Sequence, residues 1–171
     1  MEGWYNINWA HRKLITVNHS LVDEDLVNFP ILINTTDTDL KDDAQDDGDD
    51  IMFILYSDNS TKLNHEIEYF NGLSGELVAW VNITSLSSSV DTKIWMYYGN
   101  LGCTSQQNKY GTWNSDFIAV YHFNDNDYNS STGSYNGTNN GMTNTTGIIA
   151  GGIQNTDSSD VSVSVSNFYD T

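Results

Sequence analysis

The sequence predicts an all-β protein, an antiparallel β-sandwich of jelly-roll type with a partial second β lobe. Three observations predict it. The apolar residues fall in short runs bounded by Gly, Asn, Asp and Ser, which is the spacing of strands and turns. Several runs alternate apolar with polar residues, the period of a strand with one wet face. Few stretches carry the period of an amphipathic helix.

The elements follow in order. "RKLITVN" (12–18) is a first strand. "FPILINTT" (29–36) is a second, with the only proline, Pro30, at its start, where a missing N–H is tolerated. "DIMFILYS" (50–57) is apolar on both faces and reads as a central buried strand. "KLNHEIEYFN" (62–71) alternates, with Leu63, His65, Ile67 and Tyr69 on one face. "GELVAWVNIT" (75–84) and "TKIWMYYGN" (92–100) come next, and Asn71-Gly72 supplies a turn before them. These last three runs read as an antiparallel meander.

Residues 101–116 are polar and read as a connection with one short helix. "FIAVYHFND" (117–125) is a further strand, and the Asn/Gly/Ser/Thr-rich stretch 126–147 reads as a long loop. "DVSVSVS" (160–166) alternates, with Val161, Val163 and Val165 on one face. The expected organisation is a β-sandwich domain over 1–102, a connection over 103–116 and a partial lobe over 117–171.

Bulk composition narrows the partners. At 171 residues the chain suits one domain, or one domain and a fragment. Such a length buries roughly 70% of its unfolded surface without disulfide help. Cys103 is the only cysteine, so no internal disulfide forms. A net charge of −17, with six Lys and Arg, argues against nucleic acid and against an anionic membrane surface. No segment approaches ~20 consecutive apolar residues, so no membrane insertion is expected.

Asn18, Asn34, Asn59, Asn82, Asn129, Asn136 and Asn144 each begin an Asn-x-Ser/Thr triplet, the acceptor pattern for N-glycosylation on an exported protein. Acidity carried by Asp, with abundant Asn and Thr, also suits an extracellular β protein. Met1-Glu2-Gly3-Trp4 lacks the basic start and apolar run of a signal peptide, so the expectation of an extracellular or cell-surface location rests on sequons and composition.

Five pieces then line up: "NWAHRKLITV" (8–17), "NFPILI" (28–33), "DGDDIMFILYSDNSTKLNHEIEYFN" (47–71), "ELVAWVNITSL" (76–86) and "KIWMYYGN" (93–100). Together they resemble the family catalogued as domain of unknown function 2341, over about residues 4–102. One departure is His11, where the family pattern has an aromatic residue before Arg12. "FIAVYHFND" and "GGIQNTDSSDVSVSVS" (151–166) resemble the opening of a laminin-G-like, concanavalin-A-like jelly roll. Such a jelly roll needs more chain than 117–171 supplies, so the lobe is expected to be truncated or completed by strands from elsewhere. The resemblance implies a non-catalytic extracellular module. The expected function is therefore structural or adhesive, a glycosylated subunit that self-associates or joins neighbouring surface proteins by strand pairing into a filament or sheath. The alternative is a carbohydrate-binding module of a larger secreted protein, with polysaccharide as partner.

Candidate chemistry is sparse. Six aspartates fall between Asp42 and Asp50. An EF-hand register that places Gly48 sixth makes Asp43 first, but its twelfth position is Ile54, so that motif fails. Asp47, Gly48 and Asp50 match the family's lead-in to a strand. The plainer reading of the others is a solvated loop. Looser binding of calcium, the one cofactor expected, stays open at Asp43, Asp46, Asp47 and Asp49. Asp125 and Asp127 form a second calcium candidate, because the laminin-G-like resemblance implies ion-binding rim loops. Glu66 and Glu68 sit two apart, near the short end of glycosidase carboxylate spacing, and polar pairing on the sheet explains them better. The four histidines show no metal spacing. Trp80 and Trp95 lie in core-like strands, which leaves Trp4, Trp9 and Trp113 as the candidates for stacking on sugar.

Overall fold

The computed structural model describes residues 3–124, 128–155 and 159–163. It divides into two units, Met1–Asn114 and Ser115–Thr171. The first unit contains strands β1 (His11–Val17), β2 (Leu26–Thr36), β3 (Met52–Leu55), β4 (Lys62–Leu63), β5 (His65–Asn71), β6 (Glu76–Leu86) and β7 (Thr92–Tyr98). Two short helices join them, α1 (Thr38–Asp43) and α2 (Lys109–Thr112). One sheet has the order β1-β7-β3-β4 and the other β2-β6-β5, with every pairing antiparallel.

The two sheets share one core. Ile33, Leu77, Ala79, Val81 and Ile83 come from the second sheet, and Phe53, Leu63, Ile94, Met96 and Tyr98 from the first. Alternation along each strand is what delivers them to one side. Each large apolar side chain buried here contributes roughly 1.5–3 kcal/mol. Asp37 caps α1 by accepting from Asp39 N–H, which seats Leu40 in the same core. Gly75, at φ +72°, closes the β5–β6 turn, where an added Cβ would lie 1.9 Å from the Asp37 carbonyl oxygen.

The outer face of the first sheet carries a smaller cluster. Trp9, Met52, Ile54 and Tyr97 are buried there, with Trp4, Tyr5, Trp95 and Cys103 packed against them. This explains why β3 is apolar on both faces: Phe53 points to the main core while Met52 and Ile54 point to the outer cluster.

Three sequence expectations are corrected in this unit. The run 62–71 is split at Asn64, with β4 in one sheet and β5 in the other. Asn64 makes the crossing by accepting from Asn82 N–H and donating its amide to the Gly111 carbonyl. The meander also breaks after β6, because β7 pairs with β1 and β3 instead. Finally, the stretch read as a connection packs onto this unit through residue 114. Gln107 Oε1 accepts from Ile67 N–H at 2.7 Å, and the Asn82 amide donates to the Thr112 carbonyl at 2.9 Å.

The second unit is built differently. Its strands are β8 (Gly137–Asn140), β9 (Thr143–Thr146), β10 (Gly151–Gln154) and β11 (Asp160–Val163). They form two separate two-stranded sheets, β10-β9 and β11-β8. Among the described residues, the run expected as a strand over 117–125 is not one. A backbone bond from Ser131 N–H to the Val120 carbonyl stands beside side-chain bonds there: Val120 N–H donates to Ser130 Oγ, and Thr132 Oγ1 donates to the Ile118 carbonyl. Phe123 also adopts a left-handed φ of 54°. Conversely, the stretch expected as a loop holds β8 and β9. Of the alternating run 160–166, residues 164–166 lie outside the described residues.

Candidate functional site

The acidic segment resolves into individual tasks. Asp50 is fully buried. Its Oδ1 accepts from Gln45 N–H at 3.0 Å, and its Oδ2 accepts from Gly99 N–H at 2.7 Å and Asn100 N–H at 2.9 Å. Its carbonyl accepts from Trp9 Nε1 at 2.6 Å. Asp50 thus clamps the start of β3 to the end of β7. Asp47 accepts from Asp49 N–H within its own turn, Asp43 lies 3.7 Å from His11 Nε2, and Asp46 is exposed. Among the described residues, no group of three or more His, Cys, Asp or Glu is arranged to hold a metal ion. Asp125 and Asp127 lie outside the described residues.

The tryptophans exchange roles relative to the sequence reading. Trp9 and Trp113 are buried, which corrects the expectation that they are free to stack on sugar. Trp113 Nε1 donates to Glu66 Oε2 at 2.7 Å, and Trp80 Nε1 donates to Glu68 Oε2 at 2.8 Å. The two carboxylates therefore hold indoles, and a bulge between Ile67 and Tyr69 interrupts their strand. The Cys103 thiol is pushed up by burial and then by the Asp50 and Asp49 carboxylates, the reverse of an activated nucleophile.

The sequons also separate. Asn18, Asn34, Asn129, Asn136 and Asn144 are exposed and Asn59 is half-buried. Asn82 is buried, with its amide donating to the Asn28 and Thr112 carbonyls. Its side chain is committed to the fold, which corrects its reading as a glycan acceptor on the folded chain.

One open cleft brings together residues that sequence reasoning missed. It encloses about 370 Å³ and is lined by Gly3, Arg12, Tyr56, Ser57, Asn59 and Trp95. The Arg12 guanidinium carbon lies 4.0 Å from the Trp95 ring centre and 4.6 Å from that of Trp4. Arg12 Nη1 donates to the Gly3 carbonyl at 2.6 Å and to the Tyr97 hydroxyl at 3.0 Å. The Tyr56 and Trp95 rings sit 5.4 Å apart, and Trp95 Nε1 donates to Asn59 Oδ1 at 2.8 Å. Lys93 Nζ lies 5.7 Å from the Tyr56 ring centre. A neighbouring groove of about 700 Å³ shares Tyr56 and Ser57 and continues to Lys93, Asp91 and His19. His19 Nδ1 and Asp91 Oδ1 are 2.7 Å apart, and this contact holds the Asp91 carboxyl below its ordinary range. One signal in the sequence pointed here: Lys93, Trp95 and Tyr97 share a face of β7 opposite Ile94, Met96 and Tyr98.

These features define an antiparallel all-β protein in which buried polar groups secure the fold and a cationic, aromatic cleft lies open beside them. The chain belongs to the family described as Domain of unknown function (DUF2341), whose model matches residues 47–139. The matched segment begins after β1 and β2, later than the resemblance at about 4–102 suggested, and it runs on into β8. The laminin-G-like continuation has no family match of its own. No curated protein and no solved structure matches the chain.

Proposed function

We propose that this chain is a non-catalytic structural and adhesive module of an exported surface protein, a β-sandwich of jelly-roll type that acts by strand-mediated assembly. The observation that carries this reading is the pair of two-stranded sheets in the second unit. Within the described residues, each of their four strands is an edge strand. A two-stranded ribbon is marginal alone in water, and an unpaired edge is a template for another chain. Exposed sequons support an extracellular setting, and the use of Glu66 and Glu68 to hold indoles supports a non-catalytic role.

The test is native molar mass by light scattering, first with calcium and then with chelator. A mass far above the 19.1 kDa monomer is expected, and a monomer in both conditions would refute assembly. A second reading, a carbohydrate-binding module of a larger secreted protein, is favoured by the cleft at Arg12.

A further inference from the structure

We infer that the cleft at Arg12 binds a carboxylated saccharide, a glycan bearing uronic acid, and this rests on the carbohydrate-binding reading. Arg12 is the only arginine of a chain with 23 Asp and Glu. Even so, it makes no ion pair among the described residues. Lys13, next to it, contacts both Asp37 and Asp39. Only Nη1 of Arg12 is bonded by the described residues, to Gly3 and Tyr97. Nε and Nη2 remain for a ligand, and a guanidinium offers two parallel N–H groups that match a carboxylate.

The charge is also pre-organised. Two indole rings within 4.6 Å restrict its rotation and remove part of its water, which strengthens cation–π attraction and lowers the ordering cost of binding. Tyr56 and Trp95 present the apolar surface that the C–H face of a sugar ring requires. Asn59 Oδ1 is occupied by Trp95, which leaves its Nδ2 as a donor for a hydroxyl, and Ser57 is beside it. The volume falls at the small end of the ~300–1,000 Å³ typical of small-molecule sites.

The net charge of the chain does not forbid an acidic ligand. At physiological salt the field is screened beyond about 8 Å, so the nearby groups decide. Asp58 turns its carboxylate into its own turn, where the Thr61 hydroxyl and the Ser60 and Thr61 N–H groups hold its pKa at about 2. Lys93 adds a second cation beside Tyr56. An acidic peptide would satisfy Arg12 but would leave the aromatic surface and Asn59 without matching partners.

The experiment uses the full chain produced without glycosylation, because Asn59 begins a sequon inside the cleft. Tryptophan fluorescence is followed in 0.15 M salt during titration with a galacturonic acid oligosaccharide. A galactose oligosaccharide of equal length and poly-aspartate serve as comparisons. We expect saturable binding of the uronate, at least tenfold weaker binding of both comparisons, and at least tenfold loss in Arg12→Lys and in Tyr56→Ala. Tyr56 is exposed, so Tyr56→Ala should keep the wild-type melting midpoint and report on binding where Arg12→Lys fails to fold. Equal binding of neutral and acidic sugars would overturn the acid preference while leaving a sugar site. Binding of poly-aspartate as tight as the uronate would overturn the saccharide assignment. Unchanged binding in Tyr56→Ala would remove the ligand from this cleft, and no binding of any sugar would overturn both the inference and the reading beneath it.

Discussion

Strands β6 and β9 show how differently the two units are held. Of the 11 residues of β6, Leu77, Val78, Ala79, Val81, Asn82, Ile83 and Leu86 are buried. All four residues of β9 are exposed. The first unit draws its stability from apolar area removed from water between two sheets. The second leans on polar contacts around the buried Tyr128 ring, such as the Asn139 amide donating to the Tyr128 hydroxyl at 2.7 Å. A polar group in the first unit is therefore costly unless its partners are perfect, while an exposed polar group on β9 is replaceable by water.

The largest test of that contrast is Asp50→Ala. It orphans three backbone N–H groups around a fully buried carboxylate. At about 1–3 kcal/mol for each unsatisfied buried group, with partial relaxation, the expected loss is about 4 kcal/mol in urea unfolding. Asp50→Asn keeps one acceptor oxygen and should lose roughly half as much. A loss below about 1 kcal/mol for Asp50→Ala would mean that water reaches the clamp and that the contrast between units is overstated.

His65 gives the next effect. It is fully buried against Phe53, and neither ring nitrogen has a hydrogen-bond partner among the described residues. Burial, and then the charge of Lys62, lower its pKa to about 4, against an opposing push from the Leu63 and Ile51 backbone. The folded value lies below that of a free imidazole, so the unfolded chain takes up the proton first as pH falls. The stability from neutral His65 is complete above about pH 6.5 and is lost on acidification towards about pH 4. The loss is roughly 3 kcal/mol. His65→Leu should flatten this part of the profile and raise the melting midpoint at neutral pH, since it removes two unsatisfied atoms. An unchanged pH profile in that variant would assign the acid sensitivity to the carboxylates.

These two residues also mark the limit of what the sequence discloses. The strands of the first unit are legible because apolar alternation reports a buried face, as in Ile94, Met96 and Tyr98 against Lys93, Trp95 and Tyr97. β8 and β9 are not legible, because Gly-Thr-Asn-Asn and Thr-Asn-Thr-Thr bury almost nothing and leave no periodic signal. The Arg12 cleft was hidden for another reason. Its members come from residues 3, 12, 56, 57, 59 and 95, and only the pairing of β1 with β7 and of β7 with β3 brings them together. The same pairing places Trp9 inside and leaves Trp95 lining the cleft, the reverse of what strand composition suggested.

Asn82 offers a smaller effect and a chemical readout. Asn82→Ala removes an amide that donates to two carbonyls, at an expected cost of about 2 kcal/mol. When the chain passes through a glycosylating secretory system, peptide mapping should find Asn82 unmodified and exposed Asn144 modified. A glycan at Asn82 would show that modification precedes folding of β6 and that the buried amide is dispensable.

The smallest effect belongs to β9. Thr145→Ala removes a side chain that is exposed on a two-stranded ribbon, so the expected change is below about 0.5 kcal/mol. Hydrogen exchange sharpens the point without a mutation. Amides of β6, a strand paired on both sides by β2 and β5, should exchange only on global unfolding, while those of β9 should exchange through local opening, at least a thousandfold faster after correction for intrinsic rates. The measurement also bears on assembly. If β9 gains another strand in an oligomer, its protection should rise with protein concentration while that of β6 stays constant, because only the edge acquires a new hydrogen-bond partner.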